Sequence, residues 1–253
     1  MIDKVPEARL RPFQSCAAEE GVGVAKLYRW NSEVSLALFD DISVIEVSMR
    51  SAMARELQSA YGDEWFRNAT LFDDDTLGLI SRAWDQGRLK LLNAPPDEVH
   101  GKLVASFSFG FWVKLLGRGS HGGLKGPMGR APFVSSNTRR IYDQLLWYPA
   151  LHNAFRGITA RQRERVESAA RDIQLMRNRV AHHESVIWGI PPYGQKNKDG
   201  TARNRITLAE AQDTILKLAG YIDPELGNWF RDNSALSLSV RNRPVTRNID
   251  YEI

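Results

Sequence analysis

A long stretch of helical periodicity constrains the fold of this chain more than any other feature. Between Leu27 and Tyr61, apolar residues recur at steps of three and four, which is the spacing of one face of an α-helix. Gly62 follows directly, and glycine commonly ends a helix. The segment therefore predicts a long helix that buries one face. That face comprises Leu38, Phe39, Ile42, Ile45, Met49, Met53 and Leu57.

Further helices are predicted along the rest of the chain. Asp73, Asp74 and Asp75 suit a helix N-terminus, because negative charge is favourable there. The aromatic segment 107–116 is expected in the core, and the glycine-rich segment Gly117–Pro132 and the polar segment 190–204 are expected to be loops. No convincing succession of strands is found, so the predicted fold class is all-α, a helical bundle with long loops. The additional helices are expected at 73–87, from 95 onwards, and at 137–150, 159–181, 207–220 and 224–233.

The amino-acid composition and net charge exclude several classes of protein. The composition, 43% hydrophobic and 25% charged over 253 residues, is that of a globular chain. A single cysteine, Cys16, rules out an intramolecular disulfide and a cysteine-based zinc site. The sequence contains neither a long apolar run nor a signal-peptide core. We therefore expect a cytoplasmic protein that does not associate with membranes. The net charge of +4 is compatible with nucleic-acid binding but does not establish it.

The helix predicted over 159–181 carries an arginine on its apolar face. At roughly 100° per residue, Arg177 falls within about 20° of Val166, inside the apolar stripe. An arginine directed at the core needs a partner, because an unpaired buried charge is unfavourable. Glu46 lies on the apolar face of the long helix, so a pair with Arg177 is expected, and Arg50, one turn beyond Glu46, is a second candidate partner for Glu46. A purely structural pair is the alternative to a functional one.

The next turn of that helix carries polar residues on a different face. His182 lies about 140° around the helix from Arg177 and shares a face with Asn178. That face is expected to look away from the protomer's own core, toward solvent or a second subunit. A histidine stabilised only by the helix C-terminal dipole is the alternative interpretation of His182.

An ordered set of motifs covers roughly 28 to 188. It comprises Tyr28-x-Trp30-Asn31, Ile45-Glu46-Val47-x-Met49-Arg50, Tyr61-Gly62-x-x-Trp65, Phe107-x-Phe109-Gly110-x-Trp112, and Arg177-Asn178-Arg179-Val180-Ala181-His182-His183 followed by Trp188. This set resembles the Abi-like (abortive-infection) branch of the HEPN superfamily, which is all-α. Within it, Arg177-Asn178 followed by His182 matches the R-polar-x(n)-H motif of HEPN ribonucleases.

The resemblance implies a metal-independent endoribonuclease. Such enzymes turn the neighbouring 2′-hydroxyl on the scissile phosphate and leave a 2′,3′-cyclic phosphate and a 5′-hydroxyl. It implies that His182 is the general acid or base, Arg177 the phosphate-binding group and Asn178 an orienting group. Glu46, Arg50 and His183 are expected in supporting positions. The site is expected to be composite, formed where the motif helices of a homodimer meet.

The same resemblance gives expectations about organisation and partners. The HEPN-like domain is expected over 26–234, with an N-terminal extension (1–25) and a basic C-terminal tail (235–253). RNA is the expected substrate, in phage defence (abortive infection) or toxin activity, with an antitoxin or inhibitor as a further candidate partner. Arg179, Lys125 and Arg130 are candidates for contacts with RNA phosphates.

Alternative functions differ in what the sequence would have to contain. A catalytically inactive HEPN module that binds RNA or a partner protein would keep the same helices. A nucleotide transferase ranks last, because no carboxylate pair has the required spacing. No H-E-x-x-H, P-loop or dinucleotide-binding motif occurs, so no metal and no cofactor is expected.

Overall fold

The computed structural model of the chain describes residues 2–89, 95–124, 138–192 and 204–244. These residues are mostly helical and include a short β-hairpin, so the predicted all-α class is confirmed. Within the described ranges, no helix combines the length and the apolar character that crossing a membrane requires. The chain forms two compact units: unit 1 is Met1–Val44, Arg171–Lys217 and Asn228–Ile253, and unit 2 is Ile45–Ala170 and Leu218–Gly227.

Most of the predicted helices are present, and helices that were not predicted lie within 1–25 and 235–253. The α-helices are α1 (Glu7–Glu20), α2 (Val24–Tyr61), α3 (Asp74–Gln86), α4 (Pro96–Ser106), α5 (Phe109–Leu115), α6 (Arg163–Ala181), α7 (Leu208–Ile222), α8 (Pro224–Asn233) and α9 (Ala235–Arg241). The strands β1 (His121–Gly122) and β2 (Thr138–Arg139) pair antiparallel. Single turns of 3₁₀- or π-helix lie at Trp65–Arg67, Asp143–Trp147, Leu151–Ala154 and Ala160–Gln162.

The long helix α2 buries the predicted stripe with one exception. Its residues Leu38, Ile42, Ile45, Met49, Met53 and Leu57 are all buried. Phe39 was expected in the core with them, but its side chain is 42% exposed. Helical spacing places Phe39 at the edge of the stripe, where a neighbouring element decides whether a side chain is covered.

The helix expected over 137–150 is wrong in its first part. Thr138 and Arg139 form β2, and helical backbone begins only at Asp143, as a π-helical turn. The hairpin is held against the start of α3, where Asp74 accepts hydrogen bonds from the N–H groups of Gly123 (3.1 Å) and Leu124 (3.3 Å). Such tertiary hydrogen bonds override a weak local preference for helix.

A histidine lies within the aromatic core of unit 2. His100 is 8% exposed, and its Nε2 accepts a hydrogen bond from Nε1 of Trp65 at 3.0 Å. Its ring stacks on Phe66 with centroids 6.2 Å apart. Burial lowers the pKa of His100 below its ordinary value of 6.5, and the charge of Asp63 opposes this shift. Nε2 can accept the hydrogen bond from Trp65 only while the imidazole is neutral, because both ring nitrogens of a protonated histidine are donors.

We expect the stability of the protein to fall as the pH drops below about 6.5. Below that pH, the unfolded chain binds a proton at His100 that the folded chain does not bind until its lowered pKa is reached. The free energy of unfolding should therefore decrease, by at most about 1.4 kcal/mol per pH unit for one proton. Urea denaturation of the wild type and of His100→Gln between pH 5 and 8 measures this, and equal slopes for both would contradict it.

The C-terminal segment of unit 1 is attached to α2 by buried hydrogen bonds. Asp41 of α2 accepts from the hydroxyl of Ser234 (2.6 Å) and from the N–H groups of Ala235 (3.0 Å) and Leu236 (3.3 Å) at the start of α9. Further along, Nε1 of Trp30 donates to the carbonyl of Ser239 at 2.9 Å.

Arg243, just after α9, extends this attachment to α1. Its guanidinium donates to Glu20 at 2.6 Å and to the Cys16 sulfur at 3.5 Å, and it lies 5.1 Å from the Trp30 ring centroid. The segments expected as an extension (1–25) and a tail (235–253) thus each contain a helix, and Arg243 of the tail contacts α1 of the extension. Residues 245–253 of that tail lie outside the described residues.

Candidate functional site

Helix α6 ends in a backbone motif that holds a histidine in a left-handed conformation. The N–H of Glu184 donates to the carbonyl of Arg179 at 3.0 Å, and the N–H of His183 donates to the carbonyl of Val180 at 2.9 Å. These are the two bonds of a Schellman motif, in which the position of His183 is usually glycine. His183 has φ of 53°. A side chain in this conformation costs about 1 kcal/mol, and such strain is often found at functional sites.

We expect His183→Gly to raise the free energy of unfolding by about 1 kcal/mol, because glycine adopts positive φ without steric strain. His183→Ala removes the same imidazole but keeps a Cβ, so it serves as the matched control and should bring no such gain. Chemical denaturation of the wild type and of both variants measures the three free energies of unfolding. Equal stability of the glycine and alanine variants would show that the conformation carries no strain.

A cleft of about 840 Å³ lies beside this helix end, within unit 1. We call it the α6 cleft. One wall is apolar and belongs to α1 and α2, with Pro12, Phe13, Tyr28, Leu36 and Phe39. The other is polar and comes mainly from the end of α6 and the residues after it, with Arg177, Arg179, His183, Glu184 and Ser185. A cavity of this size and mixed lining is typical of a ligand site.

Arg177 has unused hydrogen-bonding capacity in this cleft. The residue is half-buried, and its Nε is fully buried without a hydrogen-bond partner among the described residues. A buried donor without an acceptor is unfavourable. Since Arg177 also lines the cleft, its guanidinium charge would attract an anionic ligand there. Glu46 and Arg50 are half-buried residues of α2 in unit 2, and the expected pairing of Glu46 with Arg177, or with Arg50 as its second candidate partner, stays a prediction.

Arg179 already has partners within unit 1. Its Nε donates to the carbonyl of Ser185 at 2.7 Å, and an amino group donates to Glu184 at 2.9 Å. Burial lowers the pKa of Arg179 from its ordinary value, while the charge of Glu184 acts in the opposite direction. These bonds fix the chain after α6, so Arg179 shapes the cleft and adds charge to it.

Two residues without an assigned role in the sequence hold the same segment from the other wall. Arg9 of α1 donates to the carbonyl of His183 at 2.9 Å. The side-chain oxygen of Asn31 accepts from the N–H of Val186 at 2.9 Å. Asn31 appeared only as part of the Tyr28-x-Trp30-Asn31 motif, and no signal in the sequence marks Arg9.

The residues predicted for catalysis divide between the cleft and the adjoining surface. Arg177 lines the cleft, whereas Asn178 and His182 are exposed and are not among its lining residues. They lie one turn apart, since the N–H of His182 donates to the carbonyl of Asn178 at 3.0 Å. The supporting residue His183 does line the cleft. Lys125 and Arg130, the other candidates for RNA contact, lie outside the described residues.

This helix end offers imidazole groups for proton transfer and guanidinium groups for binding an anion. Across the described part of the chain, no group of three or more histidine, cysteine, aspartate or glutamate side chains could hold a metal ion. No family model, no curated protein and no solved structure matches the chain.

Proposed function

We propose that the protein is a metal-independent endoribonuclease of the HEPN type, acting at the end of α6. His182 removes the proton from a ribose 2′-hydroxyl, whose oxygen attacks the adjacent phosphorus. The bond to the 5′-oxygen breaks, and a second imidazole protonates that oxygen. Arg177 binds a non-bridging phosphate oxygen as negative charge grows on it, and Asn178 orients the group being cleaved.

The observation that carries this proposal is the Arg177 guanidinium, with a buried Nε that has no partner in the described residues. It lies on the same helix end as two histidines, one in the cleft and one exposed. A guanidinium hydrogen-bonds phosphate oxygens in a fixed geometry, and a histidine has an unperturbed pKa near the neutral range. With a second imidazole as the acid, these side chains supply the groups that transesterification without a metal ion requires.

A homodimer is part of the proposal. The exposure of both Asn178 and His182 on one face of α6 leaves them accessible to a second copy of the chain. A two-fold axis near this face would bring two His182 side chains together, one acting as the base and the other as the acid. By the same resemblance, the biological setting is RNA cleavage in the cytoplasm during phage defence or toxin-induced growth arrest.

The test uses purified protein and a single-stranded RNA in the presence of EDTA. We expect cleavage to products that end in 2′,3′-cyclic phosphate and 5′-hydroxyl, identified by mass spectrometry. A matched oligonucleotide with one 2′-deoxy sugar at the main cleavage position lacks the nucleophile and should resist cutting there. Cleavage that continues at the deoxy position, or that requires Mg²⁺, would refute this mechanism.

One observation favours a non-catalytic RNA-binding module as the second candidate. His182 is not among the residues that line the cleft, so the cleft could bind RNA without cutting it. Gel-shift binding of an RNA that stays intact both in EDTA and in Mg²⁺ would favour this alternative.

A further inference from the structure

The apolar wall of the α6 cleft exposes side chains that a ligand would cover. Leu36 is 71% exposed and Phe39 is 42% exposed. Phe13 lines the same wall, is only 2% exposed, and meets the Tyr28 ring edge-on with centroids 5.2 Å apart. A flat ring system placed on this wall would bury apolar area on both partners and could stack on Phe39.

The lining of the cleft carries an excess of positive charge, from Arg9 on α1 and from Arg177 and Arg179 on α6. Arg179 is paired with Glu184. Arg9 and Arg177 form no ion pair with a described carboxylate of unit 1, and the bond from Arg9 goes to an uncharged carbonyl oxygen. Both guanidinium groups line the cleft, so an anion there would meet two positive charges that are not neutralised within the described part of unit 1.

Hydrogen-bonding groups also lie along the apolar wall. Asn31 uses its side-chain oxygen to accept from Val186, which leaves its amide nitrogen as a donor without a partner in the described residues. The hydroxyl of Tyr28 likewise makes no hydrogen bond within that part of the chain. An aliphatic chain in the cleft would leave these groups without partners, which is unfavourable, whereas the edge of a nucleobase would satisfy them.

We propose that the α6 cleft is a nucleotide subsite. The base stacks on Phe39 with its edge toward Asn31, and its phosphate lies against Arg177 and Arg9. The inference rests on the proposed function and deepens it, because it names the part of the RNA that selects the cleavage position. Since Arg177 belongs both to the cleft and to the catalytic set, cutting occurs next to the nucleotide held there.

The test begins with calorimetric titration of the four nucleoside 5′-monophosphates. We expect at least one to bind more than tenfold tighter than ribose 5-phosphate. Phe39→Ala should weaken that binding by about tenfold, the effect of losing a stacked aromatic ring. Trp229→Ala is the matched control, because Trp229 is 47% exposed in the same unit but does not line the cleft, and it should bind as the wild type does.

The phosphate end of the subsite is tested through the arginine. Arg177→Gln should remove the preference for a nucleoside monophosphate over the nucleoside, which the wild type is expected to show. Arg165→Gln makes the same charge change on an exposed residue of α6 outside the lining, and it should keep that preference. A preference retained in Arg177→Gln would place the phosphate elsewhere and overturn the proposal.

The outcomes separate this proposal from the nuclease. Nucleotide binding that depends on Phe39, with no RNA cleavage, supports the subsite and refutes the nuclease. RNA cleavage in EDTA whose base preference is unchanged in Phe39→Ala refutes the subsite and leaves the nuclease standing. Binding of ribose 5-phosphate as tight as that of the nucleotides, or displacement of a bound nucleotide by micromolar palmitate, also overturns the subsite.

Discussion

His182→Ala is expected to lower metal-independent RNA cleavage by at least about 100-fold, the usual contribution of a general acid or base. The side chain is exposed, so its loss should leave the free energy of unfolding within about 0.5 kcal/mol of the wild-type value. Single-turnover cleavage of a fluorescent RNA, together with a urea denaturation curve, measures both quantities on the same preparation.

Two histidine variants make this result specific. His121→Ala removes another exposed imidazole, on β1 of unit 2, and should cleave at the wild-type rate. His183→Ala removes the neighbouring imidazole that lines the cleft, and we expect a smaller loss of activity than for His182→Ala. If His183→Ala is inactive while His182→Ala is not, the catalytic histidine is the one in the left-handed position.

The helices could be predicted because their signals are local. The apolar stripe of α6 is buried from Val166 to Val180 as its periodicity indicates, and Asp73 caps α3 by accepting from the N–H of Thr76 at 2.8 Å. Gly62 ends α2 with φ of 80°. Spacing, capping residues and helix-ending glycines act within a few residues, so one sequence is enough to recognise them.

The α6 cleft could not be predicted in the same way. Its walls combine α1 residues with residues more than 170 positions later, as in the bond from Arg9 to His183. The exposure of Phe39 depends on which elements flank α2, and helical periodicity does not contain that information. Positive φ at His183 was also unexpected, because local preference favours glycine at that position. The motif Arg177-Asn178-x-x-x-His182 drew attention to the end of α6 but did not indicate its three-dimensional surroundings.

Asp41→Ala is expected to lower the free energy of unfolding by about 3 kcal/mol, because three donors at the start of α9, two of them buried, lose a charged acceptor. Asp41 is 3% exposed, and its partners Ser234, Ala235 and Leu236 belong to the α9 terminus. Burial raises the pKa of Asp41 above its ordinary value of 3.8, and the bonds from those partners oppose the shift. Desolvation of the Asp41 carboxylate is therefore unfavourable. For this reason the expected loss of stability is smaller than the summed free energies of three charged hydrogen bonds.

Two control variants show how much of this loss comes from the Asp41 carboxylate as a hydrogen-bond acceptor. Asp41→Asn keeps an oxygen for the backbone N–H groups and should lose only about 1 kcal/mol, whereas Asp40→Ala, on the exposed adjacent residue, should change stability by less than about 0.5 kcal/mol. Urea denaturation at pH 7 gives all three values, and equal losses for Asp40→Ala and Asp41→Ala would contradict the expectation. The Ser239 carbonyl that Trp30 of α2 binds lies on α9, and Arg243, just after α9, binds Glu20 of α1. Release of α9 therefore removes a connection between the two helices that form the apolar wall of the α6 cleft. Nucleotide binding should therefore weaken in Asp41→Ala even at temperatures where the variant is folded.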